Sequence, residues 1–169
     1  DQAPIGYNPV PEMTFSLTAG LNWKGFDFSV LLQGATRSSI YLQGDIAWDN
    51  SWGNYFEEHI GRWTPETAAT ATYPRFTKAA TAAHPNYYKS DYWLKDSKYL
   101  RLKNIQLGYT IPRKLLKKFG VRSLRVYANA YNLFTWDNVK KVDPESSNNS
   151  NGQFYPQQKV INFGINLNF

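Results

Sequence analysis

The amino-acid sequence predicts an all-β chain, a segment of an antiparallel transmembrane β-barrel with short turns at one end and long loops at the other. Three observations predict it. The stretch Val160–Phe169 sets Ile161, Phe163, Ile165, Leu167 and Phe169 on one face and Val160, Asn162, Gly164, Asn166 and Asn168 on the other, because side chains alternate along a strand. One face is apolar; the other is amide-rich and nearly uncharged, as a wall between lipid and a wet lumen requires. Further stretches repeat the pattern. The connections between them alternate short, long, short, long, the asymmetry of short periplasmic turns and long extracellular loops.

The first strand is read over Met13–Trp23, with Met13, Phe15, Leu17, Ala19, Leu21 and Trp23 opposite Thr14, Ser16, Thr18, Gly20 and Asn22. The second covers Phe26–Thr36, where Phe26, Phe28, Val30 and Leu32 share a face and Leu31 breaks the alternation. Only Lys24-Gly25 separates the two, which demands a tight hairpin. The third strand, Tyr99–Ile111, is clean from Ile105 onward, but Leu100 and Leu102 fall out of phase and Arg101 and Lys103 fall on the apolar phase. A bulge would reset the phase; more simply, the strand leaves the lipid layer there. Pro112 ends it. The fourth strand, Ser123–Thr135, alternates less cleanly near Phe134. The fifth is the terminal strand, about 160–169. Between the third and fourth, Arg113–Gly120 reads as one or two helical turns closed by glycine.

Each apolar face covers roughly 9–11 residues, enough for a tilted membrane strand. Trp23, Phe26, Tyr109 and Phe169 all fall at the short-turn end, where an interfacial aromatic girdle is expected. Five strands cannot close such a barrel, since even the smallest needs about eight. Open edges in lipid would also strand unpaired backbone groups. The expectation is that residues 1–169 form the C-terminal part of one longer barrel domain, the remaining strands lying elsewhere. The absence of a signal peptide at Asp1 and a start in mid-loop favour this over an oligomer sharing a wall.

Composition agrees. Aromatic residues make up 17% of the chain, with six Trp and twelve Tyr, yet mean hydropathy is -0.54. No apolar run is long enough for a membrane helix. There is no cysteine, which excludes disulfides, thiol catalysis and thiolate metal sites. The net charge of +6 does not indicate nucleic acid, because the basic residues form no single stripe within a binding motif.

Several strings resemble the SusC-like (RagA-type) TonB-dependent transporters. They are Trp23-Lys-Gly-Phe-Asp-Phe-Ser-Val-Leu-Leu-Gln-Gly34, His59-Ile-Gly-Arg-Trp-Thr-Pro65, Ser90-Asp-Tyr-Trp-Leu-Lys-Asp96, Tyr99–Pro112, Ser123–Thr135 and Val142-Asp-Pro-Glu145. The resemblance covers nearly the whole chain in order. It implies a 22-stranded barrel with an N-terminal plug, energised through TonB and capped by a SusD-like surface lipoprotein, in the outer membrane of a Gram-negative bacterium. It implies import of oligosaccharides or peptides, with no enzyme activity and no cofactor. This chain would supply the last five strands, lacking the plug and the TonB-contact segment. Its partners would be the rest of the barrel, whether or not on other chains, the lipoprotein, TonB through the plug, and outer-membrane lipid or lipopolysaccharide. The resemblance also makes Asn162, Gly164, Leu167 and Phe169 the assembly signal that the insertion machinery reads.

The loop from Ser38 to Trp93 is rich in aromatics. Trp48, Trp52, Tyr55, Trp63, Tyr87 and Trp93 are candidates for contact with sugar or with the lipoprotein, since aromatic faces stack on sugar rings; packing of the loop on itself is the competing reading. His59 and His84 match no metal-ligand spacing, even with Glu57 and Glu58 nearby. No nucleophile elbow is present, and the pair Asp45 and Asp49 lacks a positioned barrel of the soluble kind for glycoside hydrolysis. Arg113, Lys114, Lys117, Lys118 and Arg122 read as a solvated turn with Leu115, Leu116 and Phe119 packed on the barrel end, or as a contact for a periplasmic partner. Arg101 and Lys103 would meet lipopolysaccharide phosphates if they continue the lipid-facing phase.

A second architecture remains open: a soluble, sugar-binding β-sandwich or lipocalin-like module. The two differ over Phe15, Leu17 and Leu21, which a soluble fold buries and a membrane wall leaves bare.

Overall fold

The structure is a computed structural model; it describes residues 3–49, 55–78, 84–139, 142–146 and 157–169. The chain divides into two compact units.

One unit is an antiparallel sheet of β1 (Met13–Trp23), β2 (Phe26–Thr36), β5 (Tyr99–Thr110), β6 (Ser123–Asp137) and β7 (Val160–Asn168), in that spatial order. The hairpin between β1 and β2 is the two-residue kind: Lys24 and Gly25 have φ of 48° and 92°, which is what the twist of paired strands selects. Pairing runs without interruption from Trp23 opposite Phe26 to Met13 opposite Thr36. Both long connections leave and re-enter the sheet at one end, through Thr36 and Tyr99 and through Asp137 and Val160; both short ones lie at the other. The second short connection is α1 (Arg113–Leu116), continued as a 3-10 turn over Lys117–Phe119 and closed by Gly120 in the left-handed conformation.

The register settles the phase break. Leu31 pairs with Asn104 and Leu32 with Leu102, so Lys103 is an extra residue, a β-bulge. Across the next pair, Asn104 opposes Tyr131 and Leu102 opposes Phe134, so Asn132 and Leu133 stand against Lys103 alone, one residue more on β6; Asn132 has φ of 51°. Leu100 and Leu102 therefore return to the apolar face, opposite Phe134 and Trp136, which keep the phase of Leu124 to Ala130 and whose rings stack 6.3 Å apart. A bulge, not an end of the apolar face, explains the break at Leu102. The apolar face continues to the long-loop end and finishes there in a second aromatic rim. Phe26 and Tyr109, 4.5 Å apart, belong to the first. β6 accordingly runs two residues past the expected Thr135.

No second layer lies on this face among the described residues. Phe15, Leu17 and Leu21 are 47%, 61% and 63% exposed, and Phe163 is 83% exposed. A soluble protein rarely leaves so contiguous an apolar surface open, which removes the β-sandwich alternative.

The other unit comprises residues 1–11, 37–97 and 138–155. It has its own core of Ile40, Leu42, Ala47, Trp48, Tyr73, Tyr87, Trp93 and Val139. A small two-stranded antiparallel sheet of β3 (Ser39–Tyr41) and β4 (Leu94–Asp96) belongs to it.

Candidate functional site

On the polar face of the sheet, cross-strand neighbours make a network. Arg125 on β6 reaches over β5 to Asp27 on β2, its Nε 2.9 Å and Nη2 2.5 Å from the two carboxylate oxygens. Glycine at 108 leaves the path open: a Cβ there would lie 2.5 Å from Arg125 Nη2 and from both Asp27 oxygens. The Arg125 guanidinium also lies 4.8 Å from the centroid of the Tyr127 ring, a cation–π contact. Tyr127 in turn covers Gly164, where an added Cβ would fall 2.3 Å from the ring. Asn162 donates to Asn129 at 3.0 Å. Charges and amides thus pair laterally across the strands.

The bulge places Arg101 in this polar set, opposite Gln33 and Thr135. It is buried, and its Nε donates to Thr135 Oγ1 at 2.9 Å. The expected contact of Arg101 with outer lipid phosphates is therefore corrected: one extra residue at 103 turns it to the opposite face. Lys103 donates to Gln157 at 3.3 Å.

In the loop unit, Asp49 is the hub. It is almost fully buried, accepting from the Tyr87 hydroxyl and, at 2.9 Å, from the Thr77 backbone N–H. Its own N–H donates to the Tyr73 hydroxyl at 3.0 Å, which donates to the Ala47 carbonyl at 2.9 Å. His59 is buried beside them; its Nδ1 accepts from the Phe56 N–H, and Nε2 stands 3.3 Å from the Ala47 carbonyl. Its ring also meets Tyr73 edge-to-face, 4.5 Å away. These contacts make His59 a packing residue. A buried carboxylate is costly unless paired or hydrogen-bonded; here hydroxyl and amide donors hold it.

Burial raises the Tyr73 and Tyr87 phenols above the ordinary tyrosine value, Asp49 adding to the shift by its charge on Tyr73 and its hydrogen bond to Tyr87. The fold thus favours the neutral phenols. The stability this contributes is complete below the unfolded tyrosine value, about pH 10, and is lost as pH rises through the raised values. We expect these two residues to titrate last, with the loop unit opening as they ionise; phenolate absorbance followed against pH checks this. Replacing both with Phe should remove the late step, and a late step surviving in that variant would contradict the assignment.

The six aromatic contact candidates separate. Trp48, Tyr87 and Trp93 are buried in the loop core; Trp48 and Tyr87 rings lie 4.8 Å apart. Their faces pack within the loop. Tyr55 and Trp63 are exposed. Trp52 lies outside the described residues. An open groove of about 560 Å³ runs past Trp63, Tyr73, Arg75, Asn86 and Tyr92. A second cleft of about 400 Å³ is bordered by Glu58, Tyr92, Trp93 and Lys95. Tyr92, another of the loop's aromatics, borders both. In the terminal strand, Leu167 stands opposite Leu124, and Leu167 and Phe169 are exposed.

Such a sheet, apolar on one face, polar on the other and, among the described residues, unpaired along the outer edges of β1 and β7, is of the class of an open segment of a membrane β-barrel wall. Known proteins agree. The chain is 29% identical, over its whole length, to TonB-dependent receptor P26 of Formosa agariphila, of which it covers 18%. It is 26% identical over 95% of its length to TonB-dependent receptor SusC of Bacteroides thetaiotaomicron, covering 15% of it. A solved structure of the RagAB peptide importer in the 'open-open' state superposes on 96% of the chain with a TM-score of 0.73 and 24% identity, and 18% of that structure's chain is matched. No family model matches. The chain is a homologue of SusC-like TonB-dependent receptors and has the fold of a segment of their barrel. It spans under a fifth of the length of these relatives.

Proposed function

We propose that this chain is the C-terminal part of the barrel wall of a TonB-dependent outer-membrane importer that takes up oligosaccharides or peptides together with a SusD-like surface lipoprotein. The observation that carries the reading is the uninterrupted apolar face of the five-stranded sheet, backed by a polar face whose charges are paired laterally. The wall divides lipid from lumen and does no covalent chemistry. Tyr55 and Trp63, with Tyr92, offer the exposed aromatic surface for a lipoprotein or substrate. The terminal-strand residues Asn162, Gly164, Leu167 and Phe169 serve as the insertion signal.

The test is uptake by cells with and without the full-length protein, supplied with oligosaccharides or peptides as sole carbon source, in the presence and absence of TonB. The proposal expects growth on one class that requires both the protein and TonB. Growth on every source that is indifferent to the protein would refute it. Co-purification of a surface lipoprotein tests the partner separately.

A further inference from the structure

We infer that the connector between β5 and β6 is an interfacial anchor that binds the anionic phospholipid headgroups on the short-turn side of the membrane. The inference rests on the barrel reading above. The connector, residues 112–122, contains Arg113, Lys114, Lys117, Lys118 and Arg122 and no acidic residue. Among the described residues, no ion pair or hydrogen bond engages any of these five side chains. Its apolar residues divide. Leu116 is buried at 7% exposure, but Leu115 and Phe119 are 66% and 76% exposed.

The packed turn expected from the sequence therefore holds for Leu116 alone. One exposed leucine would need no explanation. An exposed leucine and phenylalanine one helical turn apart, set among unpaired cations, form the amphipathic pattern of a segment lying in a headgroup layer. Position supports it: the connector sits at the end of the sheet that carries the aromatic rim of Trp23, Phe26, Tyr109 and Phe169. At the same end, Lys24 lies 4.9 Å from the Trp23 ring centroid, a cation beside an interfacial aromatic. Phosphate is the complementary group for this cluster, and a lysine or arginine near an anionic bilayer surface gains from it.

The experiment labels position 119 with an environment-sensitive dye (Phe119→Cys) in the full-length protein, in nanodiscs of phosphatidylcholine alone or with phosphatidylglycerol. Position 163 (Phe163→Cys) is labelled as a reference. We expect the dye at 163 in the acyl region in both discs. At 119 we expect it at headgroup depth, protected from an aqueous quencher, and more so with phosphatidylglycerol. Exchanging Arg113, Lys114, Lys117 and Lys118 for Gln should reduce phosphatidylglycerol retention by roughly threefold to fivefold per removed cation. A dye lipid-bound at 163 but fully water-accessible at 119 in both discs overturns the anchor and leaves the barrel standing; this is also the outcome expected if the cluster instead serves an acidic protein. A dye outside lipid at 163 overturns both.

Discussion

Replacing Phe163 with Arg is expected to cost the full-length protein about 2–4 kcal/mol of stability in a bilayer, the penalty for a charge on the lipid face near the midplane. Phe163 is the most exposed large apolar residue of the sheet and lies near the middle of β7. The same change at an exposed site in water would fall within about 0.5 kcal/mol. The two environments therefore predict results several-fold apart for one substitution. Arg at the exposed Thr18, on the polar face of β1, is the control and should be tolerated. Urea unfolding of the protein folded into lipid vesicles measures both. Equal tolerance at 163 and 18 would remove the lipid-facing assignment.

The second large effect concerns the polar face. Gly108→Val is expected to destabilise by about 1–3 kcal/mol, the range for forcing extra atoms into a filled site. The new side chain would have to displace the Asp27–Arg125 pair, whose atoms stand 2.5 Å from where its Cβ would be. The cause is separable by a double-mutant cycle. With Asp27 and Arg125 both changed to Ala, the cost of adding a side chain at 108 should fall close to zero. An undiminished cost would trace the effect to the β5 backbone instead.

The strands were legible because a period of two persists over many residues: Phe15 to Leu21 and Ile161 to Leu167 each state it without help. The tight hairpin was legible from Lys24-Gly25, since few residue pairs accept positive φ in succession. What the pattern hid was local. One extra residue at Lys103 inverts the phase of the β5 residues before it, Tyr99 to Leu102, while β6 keeps its alternation through Asn132 and Leu133. Read as an unbroken alternation, Arg101 faces lipid; read across the bulge, it joins Thr135 on the polar face. The second aromatic rim at Phe134 and Trp136 was concealed because its neighbours Leu102 and Leu100 read as out of phase.

The loop was less legible for a different reason. Its aromatics have no period, so nothing in their spacing separates Trp48 and Tyr87, which build a core around Asp49, from Trp63, which stays exposed. The aspartate that organises them lies far in sequence from its partners: Tyr87 is 38 positions away. Only tertiary structure brings such a hub into view. The connector's exposed Phe119 was equally hidden, because composition marks a helical turn without saying which of its apolar residues finds a neighbour.

The central claim is that one face of this sheet meets lipid and the other meets water. A nitroxide scan along β7, one label at a time from position 160 to 168 of the full-length protein in a bilayer, tests it most directly. Collision with oxygen, which partitions into lipid, and with a water-soluble nickel chelate should alternate with a period of two. Positions 161, 163, 165 and 167 should favour oxygen, and 162, 164 and 166 the chelate. Labels at 161 to 167 that all favour the chelate, or that show no alternation, would contradict the account.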